Sequence, residues 1–245
     1  MKIGIAISLI IFLFFGMHSC GLCKKKQLQV GHSTESQNIP NIWIDSFRLE
    51  SNRFLGITNS IFSNKTKTGN LGQLVADCGL AFSNNYMLDN FGTMTHFSVF
   101  NPSGLAASLP TDSIYEKDVA KVIPYKFKLV ILELSGTQID SLLNYLVSIG
   151  GAPVAGIEIT GQNNTWIEAT IANLPFSSRR NYWVAVTDYM AAGEDGFSML
   201  KNAKQTIKTE QYWYKIVSDE LANQFEKIGI IKSQNKPRIH NITKP

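Results

Sequence analysis

Apolar residues along this chain of 245 recur with two different periods, and the switches between them outline its elements. Between 70 and 82, Leu71, Leu74, Val75, Cys78 and Phe82 fall three or four apart with polar residues between them, which predicts a helix with Cys78 as a core thiol. Residues 97–100 read as a short strand entering Asn101-Pro102-Ser103-Gly104, and 127–134 as a longer strand ending at Ser135-Gly136. Over 137–149, Ile139, Leu142, Leu143 and Leu146 share one helix face, closed by Gly150-Gly151. Residues 156–160 and 166–171 suit a hairpin around Gly161-Gln162-Asn163-Asn164, and 183–187 a further strand. A last helix is predicted over 210–228, with Val217, Leu221, Phe225 and Ile228 inward, and Arg238-Ile239 begins a closing strand. Strands and helices interleave without a regular βαβ period or repeat, so the expected fold class is α+β rather than a doubly wound sheet.

The N-terminus follows the three-part plan of an export signal: Lys2, an apolar run over 3–15, then Gly16-Met17-His18-Ser19-Cys20. That run is shorter than the roughly 20 apolar residues a membrane-spanning helix needs. Ser19 directly before Cys20 resembles the lipobox of bacterial lipoproteins. It implies a signal peptide over 1–19, lipidation at Cys20 and anchoring of an exported domain at a membrane, on the periplasmic face or the cell surface. A plain secretory signal with Cys20 as a bystander is the alternative. Cys20 and Cys23 form a lone Cys-x-x-Cys before a lysine run rather than at a strand-to-helix turn, so no redox role is expected. Residues 20–40, polar and carrying Gly31, Ser33, Ser36 and Pro40, read as a flexible tether, which leaves 41–245 as the folded domain.

A content of 44% hydrophobic and 17% charged residues suits a body with a genuine core. Lys2 and the run Lys24-Lys25-Lys26 account for the whole formal charge of +4, so the body is neutral and nucleic acid is not an expected partner. Beyond the tether only His96 and His240 remain, too few for a histidine-rich metal cage, and no Gly-x-Ser-x-Gly elbow or Walker-type loop is present. Ser198-Met199-Leu200-Lys201 matches Ser-x-x-Lys without its companion motifs and is read as chance, and His96 as an edge-of-strand residue.

Recognition is better supported than catalysis. Tyr125 and Tyr189, each at a strand end, could offer aromatic faces to one flat ligand. Asp195, between Gly193 and Gly196, could accept hydrogen bonds from vicinal hydroxyls where missing side chains let backbone approach. By residue type alone the same positions read more readily as ordinary strand-end tyrosines and a turn former.

Five landmarks in order decide between these readings. Thr68-Gly69-Asn70-Leu71-Gly72-Gln73-Leu74-Val75-Ala76-Asp77, Asn101-Pro102-Ser103-Gly104-Leu105-Ala106, Val122-Ile123-Pro124-Tyr125, Leu134-Ser135-Gly136-Thr137-Gln138-Ile139 and Tyr189-Met190-Ala191-Ala192-Gly193-Glu194-Asp195-Gly196-Phe197 resemble motifs of the C-terminal domain of the 5′-nucleotidase and UDP-sugar hydrolase family, over 65–200 with a looser echo at Arg238-Ile239. The resemblance implies a layered mixed-sheet domain with flanking helices. It also implies a nucleoside or nucleotide ligand, with Tyr125 and Tyr189 stacking the base, Asp195 taking the ribose hydroxyls and Asn101 and Gly193 in the site. Ala106 stands where the family has a phosphate-gripping arginine, and Phe127 where it has an asparagine. Lys67, or Lys65, is the candidate point charge in compensation.

Family enzymes carry their dimetal centre on a separate metallophosphoesterase domain, so the resemblance implies no cofactor or catalytic residue in this chain. Two functions follow from it. One is a substrate-binding subunit completed by a separately encoded metallophosphoesterase, which would hold the divalent metal, in nucleotide catabolism. The other is an autonomous, non-catalytic nucleoside-binding or surface interaction lipoprotein.

Overall fold

The computed structural model describes residues 51–233 and 236–242. The predicted signal over 1–19, Cys20, the tether over 20–40 and residues 41–50 of the expected domain lie outside the described residues. Among the described residues, eleven strands, five α-helices and three short 3-10 helices follow one another in an interleaved order, and the class is α+β as expected.

The centre is strand β4 (Lys128–Ser135), whose interior residues are buried on both faces. Leu129 and Ile131 point into one core, and Val130, Leu132 and Leu134 into another, which is why the strand reads in sequence as a continuous apolar run rather than an alternating one. It lies in a five-stranded sheet ordered β10-β4-β9-β2-β5, built with β2 (Phe97–Val99), β5 (Val154–Ala155), β9 (Asn181–Thr187) and β10 (Gln205–Tyr212). Helices α1 (Asn70–Phe91), α2 (Glu116–Val122) and α5 (Trp213–Ile228) contribute to the first core. The second core holds α3 (Gly136–Ser148) and the four-stranded sheet ordered β11-β6-β7-β8. That sheet comprises β6 (Ile157–Gln162), β7 (Thr165–Ile171), β8 (Leu174–Pro175) and β11 (Ile239–Ile242), the last running parallel to β6. A small antiparallel pair, β1 (Phe54–Thr58) with β3 (Asp112–Tyr115), packs beside α5.

Several boundaries differ from the sequence expectations. Helix α1 continues to Phe91 because a long helix lying on a core needs apolar residues on one face only, and Asp89, Asn90 and Phe91 are exposed. Residues 210–212 belong to strand β10, and α5 starts at Trp213. The tight turn of the β6–β7 hairpin is Asn163-Asn164, both with positive φ (52° and 61°), while Gly161 and Gln162 stay in β6. Strands β1 and β3 and helix α2 carry too few periodic residues to be foreseen. Arg238, at the predicted closing strand, donates to Asp77 Oδ2 of α1 at 2.9 Å and to the Val154 carbonyl at 2.5 Å, tying the C-terminal strand to both layers.

Candidate functional site

Sheet topology brings three sequence-distant segments to one place. Strands β2 and β9 run parallel, so the residues following them, Asn101 and Asp188-Tyr189, emerge at the same sheet end. Strand β4 runs antiparallel to β9 with Leu129 opposite Thr187, so the chain entering β4, Tyr125 to Phe127, arrives at that end too. Such an end, where strands deliver their loops together, is where open sheets collect ligands.

A continuous hydrogen-bonded network joins the segments that follow β2 and β9, and Asp188 Oδ1 of the latter accepts from the Lys128 N–H at the start of β4 at 3.0 Å. Thr187 caps the short helix α4 (Asp188–Ala191), its Oγ1 accepting from the Met190 N–H at 3.1 Å. The same hydroxyl donates to Asn101 Oδ1 at 3.4 Å, and Asn101 Nδ2 donates to Ser103 Oγ at 3.1 Å. Ser103 Oγ in turn donates to Asp195 Oδ2, and the Tyr189 phenol donates to Asp195 Oδ1 at 2.9 Å. The Tyr145 phenol, on the returning helix α3, donates to the Asp195 carbonyl. Asn101 is fully buried and has both polar ends of its amide engaged, so its role is to position Ser103.

The loop carrying Asp195 is shaped by left-handed backbone. Gly193, Asp195 and Gly196 have φ of 83°, 50° and 80°, and aspartate is among the few side chains that tolerate this region. The room left by the glycines is used by the protein itself. A Cβ on Gly193 would lie 2.2 Å from Lys201 Cε, and one on Gly196 2.4 Å from Tyr145 Oη. The sequence expectation is that Gly193 admits a ligand to the backbone, and here it admits the Lys201 stem.

Burial separates the two tyrosines. Tyr125 is half-buried, whereas Tyr189 is only 1% exposed. Phe127, 0% exposed, packs against both, with ring centroids 5.0 Å from Tyr125 and 5.4 Å from Tyr189. Tyr189 is therefore a core ring in this structure and presents no open face, with Phe127 among its apolar neighbours. Lys67 is brought to the end of α3, where its Nζ lies 3.4 Å from the Ile149 carbonyl, and not into the network around Asp195. Ala106 is exposed, and its N–H bonds the Val122 carbonyl.

The electrostatics follow from this arrangement. Burial, reinforced by donation to the Asp195 carboxylate, holds the Tyr189 phenol well above its ordinary pKa. Burial and the same carboxylate raise Tyr125 and Tyr145 as well. All three phenols are therefore neutral at physiological pH, and Tyr189 and Tyr145 donate to Asp195. His96 serves elsewhere: its Nδ1 accepts from the Trp183 N–H at 2.9 Å, and burial lowers its pKa. Among the described residues, no group of three or more His, Cys, Asp or Glu side chains converges as a metal cage would.

The sequence reading missed Ser103, Tyr145 and Thr187. Ser103 lies inside the Asn101 motif and Thr187 directly before Asp188-Tyr189, so both were adjacent to residues already singled out. Tyr145 carried no signal, since only the return path of α3 brings it to Asp195. A shallow groove of about 470 Å3 lined by Asp140, Trp166, Phe176 and Arg179 lies elsewhere and includes none of the expected site residues.

Comparison with known proteins places the chain in a family. Residues 51–202 match the model described as 5′-nucleotidase, C-terminal domain. The Trifunctional nucleotide phosphoesterase protein YfkN of Bacillus subtilis (strain 168) is 26% identical over 181 residues, covering 67% of this chain and 12% of that protein. Among solved structures, the 5′-nucleotidase precursor of Thermus thermophilus superposes with a TM-score of 0.66 at 21% identity, over 79% of this chain and 40% of the other. The NAD nucleotidase of Haemophilus influenzae gives 0.55 at 11% identity, over 79% and 39%. This chain thus spans well under half of each relative, and the structural likeness bears on the fold. With its family model covering more than half of its length, the chain belongs to the 5′-nucleotidase C-terminal domain family.

Proposed function

We propose that this chain is the nucleoside- or nucleotide-binding part of a 5′-nucleotidase-type phosphohydrolase, with Asp195 taking the sugar hydroxyls and Tyr125 the base. The observation that carries the reading is the half-buried Asp195 carboxylate, held by donors from Ser103 and Tyr189, with its charge felt by the half-buried Tyr125 phenol. A carboxylate offers about four acceptor positions. The protein uses two, and the others suit a vicinal diol. A base lying on the open part of Tyr125 gains about 0.5–1.5 kcal/mol of stacking beyond its area burial. Asn101 acts through Ser103, and Gly193 through the shape of the Asp195 loop.

Phosphate is held more weakly than in the family pattern. Ala106 offers a methyl where a guanidinium would form a bidentate, charge-assisted contact. Lys67, whose Nζ lies against the Ile149 carbonyl and outside the network around Asp195, does not replace that contact. The chain supplies recognition, which the nucleotide phosphoesterase and 5′-nucleotidase names of the relatives support, and hydrolysis falls to a separately encoded metallophosphoesterase that holds the divalent metal. The pair works outside the cytoplasm in nucleotide breakdown, with this chain exported and anchored through lipidated Cys20.

Titrations of the purified chain with adenosine, uridine and their monophosphates, followed by intrinsic tryptophan fluorescence, test the reading. Asp195→Ala is expected to weaken nucleoside binding at least tenfold, and an unchanged affinity would overturn the assignment. The chain alone, supplied with divalent metal, is expected to release no phosphate from AMP.

A further inference from the structure

Phe127 stands one residue before β4 with its backbone pinned on both sides: its carbonyl accepts from the Trp213 N–H at 2.9 Å, and the following Lys128 N–H donates to Asp188 Oδ1 at 3.0 Å. Its ring is tilted by 34° against Tyr125 and by 37° against Tyr189, and meets the buried Phe100 edge-on at 6.2 Å. A flat ligand sandwiched between two aromatic side chains needs about 3.5 Å on each side, and so a free slot of about 7 Å between the rings. Here that contact is made by the protein's own side chain, with Phe127 and Tyr189 both closed to solvent.

We infer that Phe127 is the specificity-determining residue of the site: an internal occupant that withdraws Tyr189 from ligand contact and confines a bound base to the outer side of Tyr125. The inference rests on the function proposed above and deepens it. With one stacking face in place of two, recognition shifts from the base toward the sugar. Tyr189 becomes a positioning residue, acting on the ligand through its hydrogen bond to Asp195 rather than through its ring. A planar base, being apolar on its faces, suits the space the ring would vacate, since cavities opened in apolar cores accept flat rings.

The test compares the wild-type chain with Phe127→Ala and Phe127→Leu, the second keeping apolar bulk so that a folded variant is available; folding is checked by circular dichroism. Adenosine and free ribose are titrated against each. The expected result is that adenosine binds a folded Phe127→Ala or Phe127→Leu chain at least fivefold more tightly than wild type, that ribose gains less than twofold, and that the adenosine gain persists when Tyr189→Phe, which keeps the ring and deletes the Asp195 bond, is added. Folded Phe127 variants that bind adenosine no more tightly than wild type overturn the inference. Failure of the underlying site reading has a different signature, in which Asp195→Ala leaves adenosine affinity unchanged in both the wild-type and the Phe127-substituted backgrounds.

Discussion

Tyr189 Oη and Asp195 Oδ1 lie 2.9 Å apart, the phenol donating to a carboxylate six residues further along a loop of left-handed backbone. With Ser103 donating to the other oxygen, the acid is held from two sides before any ligand arrives. Such preorganisation removes part of the ordering cost of binding. It also explains why a tyrosine expected to stack is buried: its hydroxyl orients the acid while its ring packs against Phe127.

Replacing Tyr189 by Phe keeps the ring and deletes this bond. A hydrogen bond to a charged group contributes about 1.5–3 kcal/mol, so Tyr189→Phe is expected to lose stability of that order at neutral pH in urea unfolding. The folded phenol has a raised pKa, so its stabilisation is fully present below the unfolded value of about 10 and declines as pH rises past it. The wild-type advantage over Tyr189→Phe should therefore shrink above pH 10; an advantage that grows there would contradict the bond.

His96 should govern stability on the acid side. Its Nδ1 accepts the Trp183 N–H, which requires that nitrogen to be unprotonated, and burial lowers its pKa. A lowered folded pKa means that the unfolded chain takes up the proton first. Stability is then full above about pH 6.5 and is lost as pH falls below that value toward the folded one. His96→Gln should cost about 1 kcal/mol at pH 8, and the difference from wild type should narrow between pH 6.5 and 5 in the same unfolding assay. Parallel curves for the two proteins would remove His96 from this role.

The Ser135-Gly136 turn is expected to be intolerant of a single methyl. A Cβ on Gly136 would lie 2.2 Å from the Ser178 carbonyl oxygen. That segment cannot retreat freely, since Tyr182 Oη accepts from the Ser177 N–H at 2.8 Å and donates to its carbonyl at 3.1 Å. Gly136→Ala should cost about 2–3 kcal/mol through overpacking, against about 1 kcal/mol for Ser135→Ala, which removes the cap on α3. Thermal unfolding of the two variants checks the order, and a reversed ranking would show that the Ser178 segment yields.

Motifs whose chemistry is local were readable from the chain. Ser135-Gly136 reads as the end of a strand leading into a helix, and the structure puts the boundary there, with Ser135 closing β4 and Gly136 opening α3. Core-facing positions such as Leu142, Leu143 and Leu146 declared themselves by helical spacing and are fully buried. Strand β10 was unreadable because it is a sheet edge with one buried residue, Thr209, so pairing with β4 rather than apolar alternation makes it a strand.

The amino-acid order alone determined the α+β class, the central elements, the family and the candidacy of Asn101, Tyr125, Tyr189 and Asp195. Spacing, turn residues and motif order are properties of neighbouring residues, and a chain carries them before it folds. Only the tertiary structure decided that Tyr189 is a buried donor, that Phe127 lies against both tyrosines, and that Ser103 and Tyr145 reach Asp195. Those contacts join residues up to 92 positions apart. They exist because parallel β2 and β9 and antiparallel β4 open at one sheet end, and strand order is set by packing across the whole domain rather than by any single segment.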